Sequence, residues 1–299
     1  MKYIACIFLK EGITEKEPSP MDGVDYHTLS SGIEYIDIYL KQGISDFLVF
    51  GSTDNKSVDF ACEQGLIKNF IKVAKDKFKD KVTIHADVGI SPYSKDGHST
   101  VIENGGINYE KSYALASKLA LVFAEAGADY VAPCLSLHEQ VKVVRTALDN
   151  GGYTKTKVHA YSSKFSSALY GPYRETIQSP LKAQDKKPYQ TDYSNPEEAL
   201  NQIKFDESQG ASIVMVKPAM IYLDIVYRAR LLTKLPLSVY HVSGEYSMIK
   251  EACKTGMLDE NETFDEVHAA FNRCNVDYVI GYAPDHFIRW KLVQQSHVR

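Results

Sequence analysis

The strongest constraint on this chain is an alternation. Short apolar runs rich in β-branched residues recur at residues 3–9, 46–51, 82–88, 129–133, 157–162, 212–217, 237–243 and 278–282. Amphipathic helical patterns fill most of the intervals, at 28–42, 66–78, 113–126, 138–149, 196–208, 249–255 and 264–275. Strands separated by helices cannot pair as hairpins, so the sheet they form is parallel. A parallel sheet is covered on both faces, which accounts for runs that are apolar throughout rather than at every second residue. Eight such units predict the α/β class and a single closed (β/α)8 TIM barrel. No G-x-G-x-x-G and no phosphate-binding loop opens the first unit, so an open doubly wound sheet is disfavoured. One barrel of this kind accounts for all 299 residues, 1–299, as one domain.

Barrel enzymes keep their chemistry at the C-terminal ends of the strands. The run ending at Val216 stops at Lys217, and the run after Lys157 leads into Lys164. A lysine is seldom buried without a partner, so each is either a snorkelling side chain with its head in water or part of a site. Two lysines at neighbouring strand ends favour a shared site. Asp87, Ser243, Glu245 and Tyr282 stand at the ends of other strands. A buried amine beside a second cation falls from its usual pKa of ~10.4 and becomes a nucleophile able to form a Schiff base with a ketone. Arg174, Ser243 and Tyr282 suit a substrate carboxylate, and Asp87 suits a substrate amine or proton transfer. Each also has an ordinary reading: Arg174 as a surface ion pair, Ser243 as a turn residue, Tyr282 as a core side chain with a wet hydroxyl. The irregular stretch 178–195, with Lys182, Lys186, Lys187, Tyr189 and Gln190, reads as a lid or a disordered loop.

Composition narrows the partners. The net charge is −4, and no Lys/Arg cluster is interleaved with aromatics, so a nucleic-acid partner is not expected. The five cysteines are scattered without a C-x-x-C pair, which argues against a disulfide framework and a cysteine zinc site. No apolar run is long enough for a membrane span or a signal segment. A small-molecule substrate in a reducing cytoplasm is the expectation.

Three segments stand out: Tyr161-Ser-Ser-Lys164-Phe-Ser-Ser-Ala-Leu-Tyr170-Gly-Pro-Tyr173-Arg174, Met215-Val-Lys217-Pro-Ala-Met-Ile-Tyr222-Leu-Asp224-Ile-Val226, and Val239-Tyr-His-Val-Ser243-Gly-Glu245-Tyr246. They resemble the porphobilinogen synthase (δ-aminolevulinic acid dehydratase) family. The stretches from Asp87 to His98, from Gly127 to Pro133 and from Tyr282 to Trp290 extend the resemblance over nearly the whole barrel. It implies condensation of two 5-aminolevulinate molecules, with loss of two waters, to the pyrrole porphobilinogen. Lys217 and Lys164 would hold the two substrates as Schiff bases, on the P side and the A side. Ser243 and Tyr282 would bind the P-side carboxylate. Arg174, Lys186 and Gln190 would bind the A-side carboxylate, with Tyr170 and Tyr173 shaping that pocket. Tethering both ketones turns a bimolecular carbon–carbon step into a positioned one.

The chain departs from the family pattern in places. Gly89, Ser91 and Ser99 stand where the family carries metal ligands, so no active-site metal and no cofactor are expected. Cys134 and Leu135 replace an active-site serine and aspartate, and are expected to form a less polar wall beside the substrate. Lys186 offers a point charge where an arginine fork is usual. The family's N-terminal arm has no counterpart before the first strand, which predicts a homodimer rather than an octamer. Two other readings stay open: a relative joining a different amino-ketone or keto acid by the same chemistry, and a catalytically silent binding protein.

Overall fold

The computed structural model describes residues 1–177, 179, 181 and 186–297. Its parallel strands are β1 (Lys2–Lys10), β2 (Asp46–Ser52), β3 (Thr83–Val88), β4 (Tyr130–Pro133), β5 (Lys157–Lys164), β6 (Ile213–Lys217), β7 (Leu237–Tyr240) and β8 (Tyr278–Gly281). They pair in chain order, and β1 pairs with β8 to close the circle. The expected (β/α)8 barrel is thus the architecture. Two short strands, Glu17–Pro18 and Asp25–His27, form a hairpin set against the end of β1.

Caps and turns of ordinary chemistry delimit the helices. Thr28 accepts from Ser31 N at the start of helix Leu29–Lys41, and Asn195 accepts from Glu198 N ahead of Pro196 in helix Pro196–Ser208. Helices Val58–Glu63 and Gly171–Thr176 escape sequence reading because a six-residue element is too short to display a helical period. Leu223–Leu232 and Pro284–His297 were also not foreseen, nor was the hairpin Val101–Glu103 with Gly106–Asn108. Strand β7 stops at Tyr240, short of the expected 243, because Ser243 opens helix Ser243–Lys254. No helix among the described residues is long and apolar enough to cross a membrane.

Inside the barrel, a polar layer lies toward the N-terminal ends of the strands. His159 Nδ1 faces His85 Nδ1 at 3.0 Å, and His159 Nε2 faces Ser238 Oγ at 2.7 Å. Burial holds His159 well below the usual histidine range, so it stays neutral.

Strand β5 carries the feature that positions the site. Val214 pairs with Ala160, but Val216 pairs with Ser163, so two steps along β6 match three along β5. This bulge resets the side-chain alternation. Ser162 and Ser163 lie between Tyr161 and Lys164 in the strand, and Ser163 donates to Ala199 O on the neighbouring helix at 2.8 Å. Lys164 then falls directly opposite Lys217.

Candidate active site

Lys217 and Lys164 line one pocket together with Asp87, Cys134, Tyr161, Tyr170, Tyr173, Arg174, Lys186 and Gln190. Lys217 Nζ lies 3.8 Å from the Tyr240 ring centre and 4.9 Å from that of Tyr161. Lys164 Nζ approaches the same Tyr161 ring at 5.5 Å and donates to Cys134 O at 2.7 Å. Burial pushes the Lys217 amine down to about 7, and the neighbouring Lys164 charge adds to the effect while Asp87 opposes it. The amine is therefore available as a nucleophile near neutral pH. Burial pushes the Asp87 carboxyl up, against the pull of Lys217 and Lys164.

The part of the pocket that carries Asp87 and Cys134 is built around Gly89. A Cβ there would sit 2.6 Å from Asp87 Oδ2 and 3.0 Å from Cys134 Sγ, so only glycine leaves those groups in place. Burial and the Asp87 charge push the Cys134 thiol up to about 12, which keeps it protonated. It donates to Asp87 Oδ2 across 3.7 Å. Lys186 Nζ donates to Ser99 Oγ at 3.0 Å, and burial followed by the Lys164 charge brings this amine to about 7. Gly89 offers no donor atom, Ser91 and Ser99 offer hydroxyls, of which that of Ser99 accepts from Lys186, and none of the three supplies a thiolate or carboxylate. Such a donor set does not fit a zinc or magnesium cage. Among the described residues, no group of three or more His, Cys, Asp and Glu side chains is placed to hold a metal ion.

Other expected site residues lie elsewhere. Leu135 lines neither this pocket nor the cleft beside it; its side chain is fully buried in the hydrophobic core. The expected apolar substrate wall at Leu135 is therefore corrected: Cys134 faces Asp87, and the next residue along the chain turns away. The loop is fixed in that sense by Ser136, which has a positive φ of 65° and donates its N–H to Gln140 Oε1 at 3.1 Å. Ser243 and Tyr282 do not line the pocket either. Ser243 Oγ accepts from Tyr173 N at 3.0 Å and donates to Leu169 O at 3.3 Å. The Tyr282 hydroxyl donates to that of Tyr240 at 3.1 Å. Glu245 accepts from Ala219 N, Met220 N and Val242 N, so it holds the turn after Lys217 and does not reach the pocket. Lys182 of the irregular stretch lies outside the described residues.

Sequence reasoning missed Tyr161 and Tyr240, whose rings bracket the Lys217 ammonium as cation–π partners. Strand alternation would put Tyr161 and Lys164, three residues apart, on opposite faces, so only the bulge in β5 reveals them together.

Residues 1–290 match the family model described as delta-aminolevulinic acid dehydratase. The chain belongs to this family. Delta-aminolevulinic acid dehydratase from Helicobacter pylori is 37% identical over 287 residues, covering 94% of this chain and 88% of that protein. The chloroplastic enzyme of Selaginella martensii is 44% identical over 227 residues, which are 76% of this chain but 54% of that protein. The chain therefore matches about half the length of such chloroplastic relatives. A crystal structure of delta-aminolevulinic acid dehydratase (porphobilinogen synthase) from Toxoplasma gondii, in complex with the reaction product porphobilinogen, superposes with a TM-score of 0.92 at 33% identity. It covers 97% of this chain and 84% of that one. Dihydropteroate synthase from Yersinia pestis, with a TM-score of 0.58 and 11% identity, shares the barrel fold.

Proposed function

We propose that this member of the delta-aminolevulinic acid dehydratase family joins two 5-aminolevulinate molecules to form porphobilinogen, through Schiff bases on Lys217 and Lys164, as a step of tetrapyrrole biosynthesis. The observation that carries the reading is the pairing of these lysines across β5 and β6 in one pocket. In each loading step a neutral amine attacks a ketone, a carbon–nitrogen double bond forms, and the carbonyl oxygen leaves as water. Asp87, Arg174, Lys186 and Gln190 line the same pocket; in this proposal Asp87 takes or returns the proton and the other three receive a carboxylate. A P-side carboxylate reaching Ser243 would take the place of the Leu169 carbonyl as acceptor of that hydroxyl, with the Tyr173 N–H still donating to Oγ. The thiol of Cys134, in place of the family's serine, favours a second reading in which the same two amines join a different amino-ketone.

The test is borohydride reduction with 5-aminolevulinate, followed by peptide mass mapping. An adduct on Lys217, accompanied by one on Lys164, is expected. A map in which neither lysine is modified would remove the Schiff-base mechanism.

We further propose that the chemistry needs no metal. Dialysis against a chelator is expected to leave condensation activity unchanged. Activity that disappears on dialysis and returns with zinc or magnesium would refute this.

A further inference from the structure

Helix Gly171–Thr176 carries two residues of the pocket, Tyr173 and Arg174. An element of six residues makes too few internal hydrogen bonds to offset the cost of its first turn, so contacts from outside must hold it. Ser243 does this on one side, through Leu169 O and Tyr173 N. At the other end the carbonyls of the last turn need donors. Tyr173 O accepts from Ile177 N at 3.0 Å, and Arg174 O accepts from Ser179 N at 2.8 Å. Thr176 is fully buried, and its carbonyl accepts from the Tyr26 hydroxyl at 2.6 Å.

Tyr26 is 150 residues away in the chain. It lies on the N-terminal hairpin, pairs with Phe8 of β1 and is buried. Ion pairs Lys10–Glu17 and Lys16–Asp25 tie the hairpin to β1 and to itself. Its turn is tied to helix Ser243–Lys254, where the Tyr246 hydroxyl donates to Asp22 O at 2.7 Å. The same helix opens with Ser243, which holds the far side of helix Gly171–Thr176. The hairpin is therefore a strap, fixed to β1 and to Tyr246, that grips the last turn of the pocket helix.

We propose that Tyr26 is a positioning residue for carboxylate capture: through its hydroxyl, the strap keeps helix Gly171–Thr176 where Arg174 lines the pocket. This rests on the carboxylate role proposed above for Arg174. Tyr26 does not line the pocket, so its loss acts through the helix. A carboxylate remote from the reacting ketone is held alike in the ground state and the transition state. Weakening that hold raises KM and leaves kcat in place.

Tyr26→Phe keeps the ring against β1 and removes only the hydroxyl. With 5-aminolevulinate as substrate and porphobilinogen as the measured product, KM is expected to rise about fivefold or more, with kcat within about twofold of the unaltered chain. Tyr246→Phe releases the strap from helix Ser243–Lys254 and is expected to raise KM in the same way, which provides a second measurement should Tyr26→Phe not fold. Tyr39→Phe removes a phenol hydroxyl that donates to Asp285 at 2.8 Å, outside this set of contacts, and is expected to leave both constants unchanged. An unchanged KM in Tyr26→Phe, or in Tyr246→Phe where the first variant does not fold, overturns the proposal. A fall in kcat at constant KM does so too, as does a rise in KM for Tyr39→Phe equal to that for Tyr26→Phe. An unaltered chain that forms no porphobilinogen instead overturns the function proposed above, and this inference with it.

Discussion

Replacing Lys217 by methionine is expected to reduce condensation by roughly a thousandfold or more, because no other group can take over a covalent nucleophile. Methionine keeps the length of the stem among the rings of Tyr161 and Tyr240, so the fold and thermal midpoint should change little. The neutral amine is the reactive form. With Lys217 brought to about 7, imine formation on it should rise with pH through about 7 and level off above. Lys164→Met removes the neighbouring cation that adds to this depression. The limb should then move to higher pH while a Lys217 adduct still forms, and rate against pH in single-turnover trapping reads this directly. An unmoved limb would mean that burial alone sets the Lys217 amine.

A large loss of stability is the expected result of Leu135→Asp. Leu135 is 0% exposed and packed in the core, so an aspartate there buries a carboxylate without a partner. Such a change costs about 3–5 kcal/mol, which for a chain of this size lowers the thermal midpoint by roughly 10 °C. The sequence alone suggests the opposite use of this variant, restoring a polar wall to the substrate. Calorimetry and an assay of 5-aminolevulinate condensation separate the two: an unchanged midpoint with increased turnover would return Leu135 to the pocket.

The barrel and its paired amines were legible because apolar strands that stop at lysine are unusual, and because barrel strand ends converge on one face. Leu135 was misplaced for a local reason. A strand-end motif names the residues, but the rotation of the loop after Pro133 depends on the Ser136 turn and its bond to Gln140, which no pattern announces. Ser243 and Tyr282 show a different limit. Hydroxyls suited to a carboxylate serve a backbone N–H and another phenol equally well, and here Ser243 is engaged by Tyr173 of helix Gly171–Thr176 and Tyr282 by Tyr240 at the end of β7. Ser99 became visible as a partner of Lys186 only once the chain was folded, since 87 residues separate the two.

The bulge in β5 has a consequence for how such a site can diversify. Lys164 and Lys217 face each other because their strands pair there, at the ~4.8 Å spacing that backbone hydrogen bonding imposes. Their juxtaposition is thus inherited from the barrel wall. Loops can lengthen, exchange residues or accept new substrates while the two amines stay opposite one another. The burial that chiefly lowers Lys217 is shared with the segments above the barrel, where the ring centres of Tyr170 and Tyr173 stand 5.5 Å from its amine, so those segments can tune the reactivity of a pair they do not position.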